Sequence, residues 1–132
     1  MKIIACVDNN NGLLFNHRRL SKDRNVILDI ENMTKENKFT CSEYSSHLFL
    51  NSGLKNFTVK NELPQSGYFF VEDILPKDLK NVDEIIVYQW NREYPSDLKF
   101  EIDPKKYNEV DRKEFTGYSH EKITKIVLKR SQ

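Results

Sequence analysis

The sequence predicts an α/β fold: a three-layer, mixed, mostly parallel sheet flanked by helices, with antiparallel strands at its C-terminal end. Three observations carry that expectation. Short apolar runs rich in β-branched and aromatic residues recur as "KIIACV", "YFFVEDI" and "DEIIVYQW", which suits strands covered on both faces. Between the first two runs, apolar residues return at helical spacing behind capping residues. The last third, "LKFEID", "YNEVDRKEF" and "KITKIVLKR", alternates polar and apolar residues, as strands with one wet face do. Strand–helix alternation followed by a β-rich end is the pattern of a parallel sheet with an antiparallel edge.

The elements follow in order. Lys2 to Val7 is the first strand, central to the sheet, and "DNNNG" ends it with turn chemistry. Val26, Ile27, Ile30 and Met33 predict a helix, capped by Ser21 or Asp23 and ending near Glu36. Phe39 to Cys41 is a second strand. Ser42 then caps a short helix carrying Tyr44, Leu48 and Phe49, closed by Asn51, Ser52 and Gly53. "NFTVK" from Asn56 to Lys60 is a third strand, and "NELPQSG" is a turn. Tyr68 to Ile74 returns to the sheet interior. Pro76 favours a first helical turn, with "KDLKN" as a short helix. Asp83 to Trp90 is the next strand, before the alternating segments.

At 132 residues the chain is long enough for a core of its own. With no repeat, low-complexity tract or linker, residues 1–132 read as one domain. Charged residues make up 31%, but eight Phe, six Tyr and one Trp supply bulky core material, which excludes disorder for most of the chain. Basic and acidic residues number 21 and 20, so no overall charge draws the chain to nucleic acid or a membrane. The opening apolar run of five residues is too short for a leader or a span. Cys6 and Cys41 read as buried free thiols in a reducing cytoplasm rather than a disulfide.

Candidate functional residues lie in four places. "HRRLSKDR" would overhang the carboxyl edge of the sheet, where α/β proteins bind ligands. There Arg18, Arg19 and Arg24 suit a phosphate or carboxylate, with Asp23 orienting one guanidinium; the alternative is a solvated loop. Arg92, beside Trp90 and Tyr94, suits stacking on a ring; the alternative is a core Trp and a turn. His120 is flanked by polar residues that can tune it, which makes it the acid–base candidate; the alternative is a wet hairpin lip. Glu72 is a lone acid ending a central strand, either a functional group or half of an ion pair. Of Ser21, Ser42, Ser45 and Ser119 only Ser119 has an imidazole next to it in sequence, His120, so no nucleophile triad is legible. Three scattered histidines, His17, His47 and His120, give no metal site.

"VDNNNGLLFNHRRLSKDRNVILDIENMT", from Val7 to Thr34, resembles the dihydrofolate reductase family: a central strand, an acid-x-x-x-Gly turn, a mobile loop and a helix ending in Thr. "KFTCSEYSSHLF", "VDEIIVYQWNREYPSDLKFEID" and the closing "EVDRKEF" and "SHEKITKIVLKR" extend the resemblance. It thins between Asn51 and Lys80, where the chain is shorter than a typical reductase. The chain is also similar to short bacterial proteins often labelled ribonuclease Z. That label implies a zinc pair in a His-rich cluster, which the three histidines cannot form.

The reductase resemblance implies specific residues, and several are replaced. The pterin carboxylate falls at Val26, which can neither bond a pterin nor relay a proton. Asp23 and Asp29 lie three residues away on either side, off that helix face. The family's NADPH contacts, a Gly-Arg-x-Thr turn and a Gly-Gly pair, fall at "SEYS" (Ser42 to Ser45) and "VEDI" (Val71 to Ile74). Glu43 reverses the charge of the phosphate-facing arginine, while Ser45 keeps the hydroxyl. No two glycines are adjacent. The expectation is therefore a non-reductase of this fold with no cofactor, binding a small anionic or nucleotide-like ligand, or a protein partner, at the former substrate cleft. Arg18, Arg19, Arg24, Ser45 and Arg92 would bind it, and Asp23, His120 and Glu72 are the catalytic candidates. A divergent NADPH-dependent reductase using Asp23 or Glu72 as proton relay is the alternative. An RNA-binding or RNA-processing protein using the basic loop and Lys122 to Arg130 is the third reading.

Overall fold

The computed structural model of the chain describes residues 1–131. At its centre β1 (Lys2–Val7), the unbroken apolar run, is buried between two parallel neighbours, β6 (Tyr68–Val71) and β7 (Glu84–Gln89). Beyond β6 the seven-stranded sheet continues in parallel through β4 (Phe39–Cys41) and β5 (Thr58–Val59). Beyond β7 it turns antiparallel: β10 (Ile123–Arg130) runs against β7, and β9 (Tyr107–Phe115) closes that edge.

Strand alternation sorts the core into two faces. Ile4, Phe70 and Ile86 are register partners on one face, and with Tyr88 and Trp90 they meet both helices. These are α1 (Arg24–Thr34), which presents Val26, Ile27 and Ile30, and α2 (Glu43–Asn51), which presents Leu48 and Phe49. Phe49 sits edge-on to Phe39 and Phe70 at centroid distances of 5.1 and 5.0 Å, the favoured geometry for aromatic pairs. On the opposite face Ile3, Phe69 and Ile85 pack with Leu13, Leu14, Val82 and Phe100. That face is covered by loops and by a small antiparallel sheet made of β2 (Gly12–Phe15), β3 (Arg18–Arg19) and β8 (Leu98–Lys99).

Caps set both helix starts. The Asp23 side chain accepts from the Asn25 amide, which selects Asp23 over Ser21 as the cap of α1. Ser42 accepts from the Ser45 amide at the start of α2.

Several segments differ from the sequence expectation. Residues around Pro76 to Asn81 form turns instead of a helix. Five residues are too few to nucleate one alone, and the Val82 carbonyl is instead bonded by Tyr107 Oη at 2.7 Å. The third strand shrinks to Thr58–Val59. Of "LKFEID" only Leu98–Lys99 is strand, and it joins the small sheet. The loop His17 to Arg24 contains strand as well: Arg18–Arg19 folds back on Leu14–Phe15. Asn16 and His17 make that reversal with φ of 51° and 63°, the left-handed pair of a two-residue hairpin.

Candidate functional site

Two buried carboxylates, Asp23 and Glu72, organise the carboxyl edge of the sheet below the helices. Asp23 ends the loop after β3. The connection between β9 and β10, residues 116–122, folds over it and brings four donors, the Ser119 hydroxyl (3.3 Å) among them. Oδ1 accepts from the amides of Asn25 (2.8 Å) and Tyr118 (2.9 Å). Oδ2 accepts from the Ser119 amide (2.9 Å) and meets His120 Nδ1 at 2.8 Å. Burial opposes ionisation of this side chain, which has no exposed surface. The bonds from Tyr118, Ser119, His120 and Asn25 outweigh that and hold its carboxyl well below the usual carboxylate range. Gly117 makes the fold-over sterically feasible: a Cβ there would stand 2.7 Å from Asp23 Oδ2 and 2.9 Å from the His120 carbonyl oxygen.

His120 is therefore buried, not on a wet lip. Its ring stacks on Trp90 with centroids 4.8 Å apart and planes 23° apart. Its Nε2 lies 2.8 Å from Ser21 Oγ. An ionised Asp23 requires the proton of a neutral His120 on Nδ1, which leaves Nε2 to accept from the Ser21 hydroxyl. Ser21, His120 and Asp23 thus form one continuous hydrogen-bonded chain.

Glu72 stands one residue past β6 on the helix-facing side. Its Oε2 accepts from Arg19 Nε at 2.7 Å and its Oε1 from Arg19 Nη2 at 2.8 Å, a bidentate pair. Ser45 Oγ donates to Oε1 at 2.8 Å. Burial alone would favour a neutral Arg19, but the Glu72 bonds reverse that and raise its basicity. Tyr44 braces the arrangement, accepting from the Arg19 amide (3.0 Å) under a guanidinium 4.9 Å above its ring. Next door, Ser42 Oγ donates to Asp73 Oδ1 at 2.6 Å.

The sequence candidates thus separate. Asp23 and His120 are in contact, as are Glu72, Arg19 and Ser45. Asp23 orients no guanidinium; backbone amides, the Ser119 hydroxyl and an imidazole take its lone pairs. Arg19 lines an open space, but Glu72 holds its guanidinium through both Nε and Nη2. Arg18 is exposed opposite Phe15 on β3, and Arg24 lies 4.6 Å over the Tyr118 ring. Arg92 is exposed beyond β7, its carbonyl bonded by the Asn9 amide. In the basic last strand, Lys122 pairs with Glu114 and Lys125 with Asp29. Among the described residues no group of three metal-ligating side chains occurs, and no helix is long and apolar enough to cross a membrane.

Three contributors escape sequence reasoning. Ser21 and His120 are 99 residues apart, Trp90 is core and ring support at once, and Gly117 matters only through what it lets approach. Between the two carboxylates lies a cavity of about 20 Å³, lined by Cys6, Ser21, Val26, Phe70 and Trp90 among others. That is room for about one water. A much larger groove of about 530 Å³ runs between α1 and α2, with Lys22, Arg24, His47 and Tyr118 on its lining and Ile27 and Leu48 below.

No family model and no curated protein matches the chain. Among solved structures, the dihydrofolate reductase from Enterococcus faecalis, complexed with NADP(H) and RAB-propyl, matches with a TM-score of 0.73 at 10% identity. The match covers 100% of this chain and 97% of that one, so it includes the middle segment where sequence resemblance thins. With this likeness in topology and so little in sequence, the chain has a dihydrofolate reductase-like fold.

Proposed function

We propose that this protein is a non-reductase that binds a small anionic molecule, with an apolar body, in the groove between α1 and α2. The observation that carries the reading is an open groove whose cations, Lys22 and Arg24, form no ion pair with a carboxylate among the described residues. The arginine drawn into the former cleft is already neutralised, since Glu72 binds Arg19 through both Nε and Nη2. Apolar walls with a few placed charges are the usual composition of a small-ligand site.

NADP(H), named with the structural neighbour, does not fit the residues here. A pyrophosphate needs bare backbone and cations. At the corresponding places stand the Glu72 and Asp73 side chains, both hydrogen-bonded, and an exposed Glu43. At the pterin position Val26 is 1% exposed inside the apolar core, so no hydride or proton transfer to a pterin is assigned to this chain.

A thermal-shift screen of aromatic carboxylates and nucleoside monophosphates tests the reading. A ligand present at 100 times its Kd stabilises the folded state by about 2.7 kcal/mol. The expected result is a salt-sensitive rise in Tm that Lys22→Ala with Arg24→Ala abolishes. No rise with any anion, or an equal rise in that double variant, overturns it. A rise with NADPH alone would restore the reductase reading.

A further inference from the structure

We propose that Ser21, His120 and Asp23 form a nucleophilic triad that hydrolyses carboxylic esters with an acetyl-sized acyl group. Both contacts of the chain measure 2.8 Å, inside the range required of a nucleophile–base and a base–orienting pair. The order of groups, hydroxyl to Nε2 and Nδ1 to a buried carboxylate, is the one that lets an imidazole take a serine proton. The Trp90 ring under the imidazole fixes its plane and favours the imidazolium that forms during transfer. The groove reading is not needed for this unit.

Access and size select the substrate. Ser21 is half-buried and lines two spaces at once. On one side lies the cavity of about 20 Å³ walled by Val26, Leu48, Phe49 and Trp90, which admits a methyl-sized group and little more. On the other lies an open space of about 430 Å³ lined by Arg19, Lys22 and Tyr44. A short acyl chain fits the first and the alcohol portion the second.

The reaction balances without a further reagent. Ser21 Oγ bonds to the acyl carbon as its proton passes to His120 Nε2. The C–O bond to the alcohol breaks, and the alkoxide leaves with that proton. Water then gives a proton to Nε2 and attacks the acyl-serine; the C–Oγ bond breaks, Ser21 recovers the proton, and a carboxylic acid departs. Asp23 is a positioning residue that keeps the Nδ1 proton in place.

p-Nitrophenyl acetate and a fluorophosphonate probe test the proposal on the full chain, with peptide mapping to locate the label. The expected result is a single covalent label on Ser21 and a loss of at least about 100-fold in turnover for Ser21→Ala, the usual scale for losing a positioned proton-transfer partner. Asp23→Asn should lower kcat and leave KM unchanged, which a purely structural role would not do. Should His120→Gln fail to fold, Ser21→Cys serves instead: the introduced thiol should be alkylated by iodoacetamide faster than Cys6 or Cys41. Label confined to lysines, turnover unchanged in Ser21→Ala, or an introduced thiol no more reactive than the two native ones overturns the proposal.

Discussion

Asp23 and Glu72 are both buried carboxylates on the helix side of the same sheet edge, and their partners make them opposites. Glu72 faces a guanidinium, which keeps its proton at any ordinary pH and so ends the path of charge. Asp23 faces an imidazole, which can take up a proton on its other nitrogen and pass it to a hydroxyl 2.8 Å away. Burial is similar at the two sites, with relative exposures of 2% for Asp23 and 6% for Glu72. The chemical identity of the partner, not the depth of the acid, separates a structural lock from a reactive chain.

Breaking the lock should have the largest effect on stability. Arg19→Ala leaves the Glu72 carboxylate buried without its countercharge, and loss of one partner of such a pair costs about 3–5 kcal/mol. Arg19 retains 19% side-chain exposure, which places the expected loss near the lower end. Urea unfolding would measure it. Replacing both partners by apolar residues, Arg19→Met with Glu72→Leu, should recover most of the loss; no recovery would mean that the pair does more than satisfy itself.

Asp23→Ala comes next. It removes the α1 cap and leaves the part-buried Tyr118 and Ser119 amides without their acceptor, for an expected cost of about 2 kcal/mol. The same carboxylate gives an acid signature. Its folded pKa lies below its unfolded value of about 4. Its contribution is therefore complete above pH ~4 and is lost as pH falls from there towards the folded value. A stability profile of Asp23→Asn should be flatter than wild type over that acid range, and a parallel pair of profiles would refute the assignment.

Gly117→Ala should cost about 1–3 kcal/mol, since its Cβ would press on both the Asp23 carboxylate and the His120 backbone. The loss should come together with weakened Ser21 labelling. The smallest effect on stability belongs to Ser21→Ala, about 1 kcal/mol or less for one half-buried hydrogen bond, although labelling there should vanish. Calorimetry would separate the two, and a Ser21→Ala loss as large as that of Arg19→Ala would make Ser21 a structural residue.

The same contrast governs what was legible in the sequence. Strands β1, β4, β9 and the start of β6 follow from local patterns, because burial on both faces or on one writes itself into a run of a few residues. The Ser42 cap is equally local. The β2–β3 hairpin is hidden because its signal, Asn16 and His17 in left-handed conformations, is not one of the glycine-rich turns. The helix expected after Pro76 fails because the Leu79 carbonyl, and the Val82 carbonyl just beyond it, accept from Tyr107 on β9 and Arg130 on β10. At the site, Glu72 shows as an oddity, yet its partner Arg19 lies 53 residues away. Ser21 has no base near it in sequence because its base arrives from the far end of the chain. Pairings made by topology have no local pattern to read.

The most direct test of the reactive chain is the protonation pattern of the His120 ring, read by ¹⁵N NMR on protein labelled at histidine. The expected spectrum of the neutral ring has the proton on Nδ1, hydrogen-bonded to Asp23, with Nε2 as acceptor from Ser21. A proton on Nε2, donated to Ser21 Oγ, would leave the serine without a base and contradict the account.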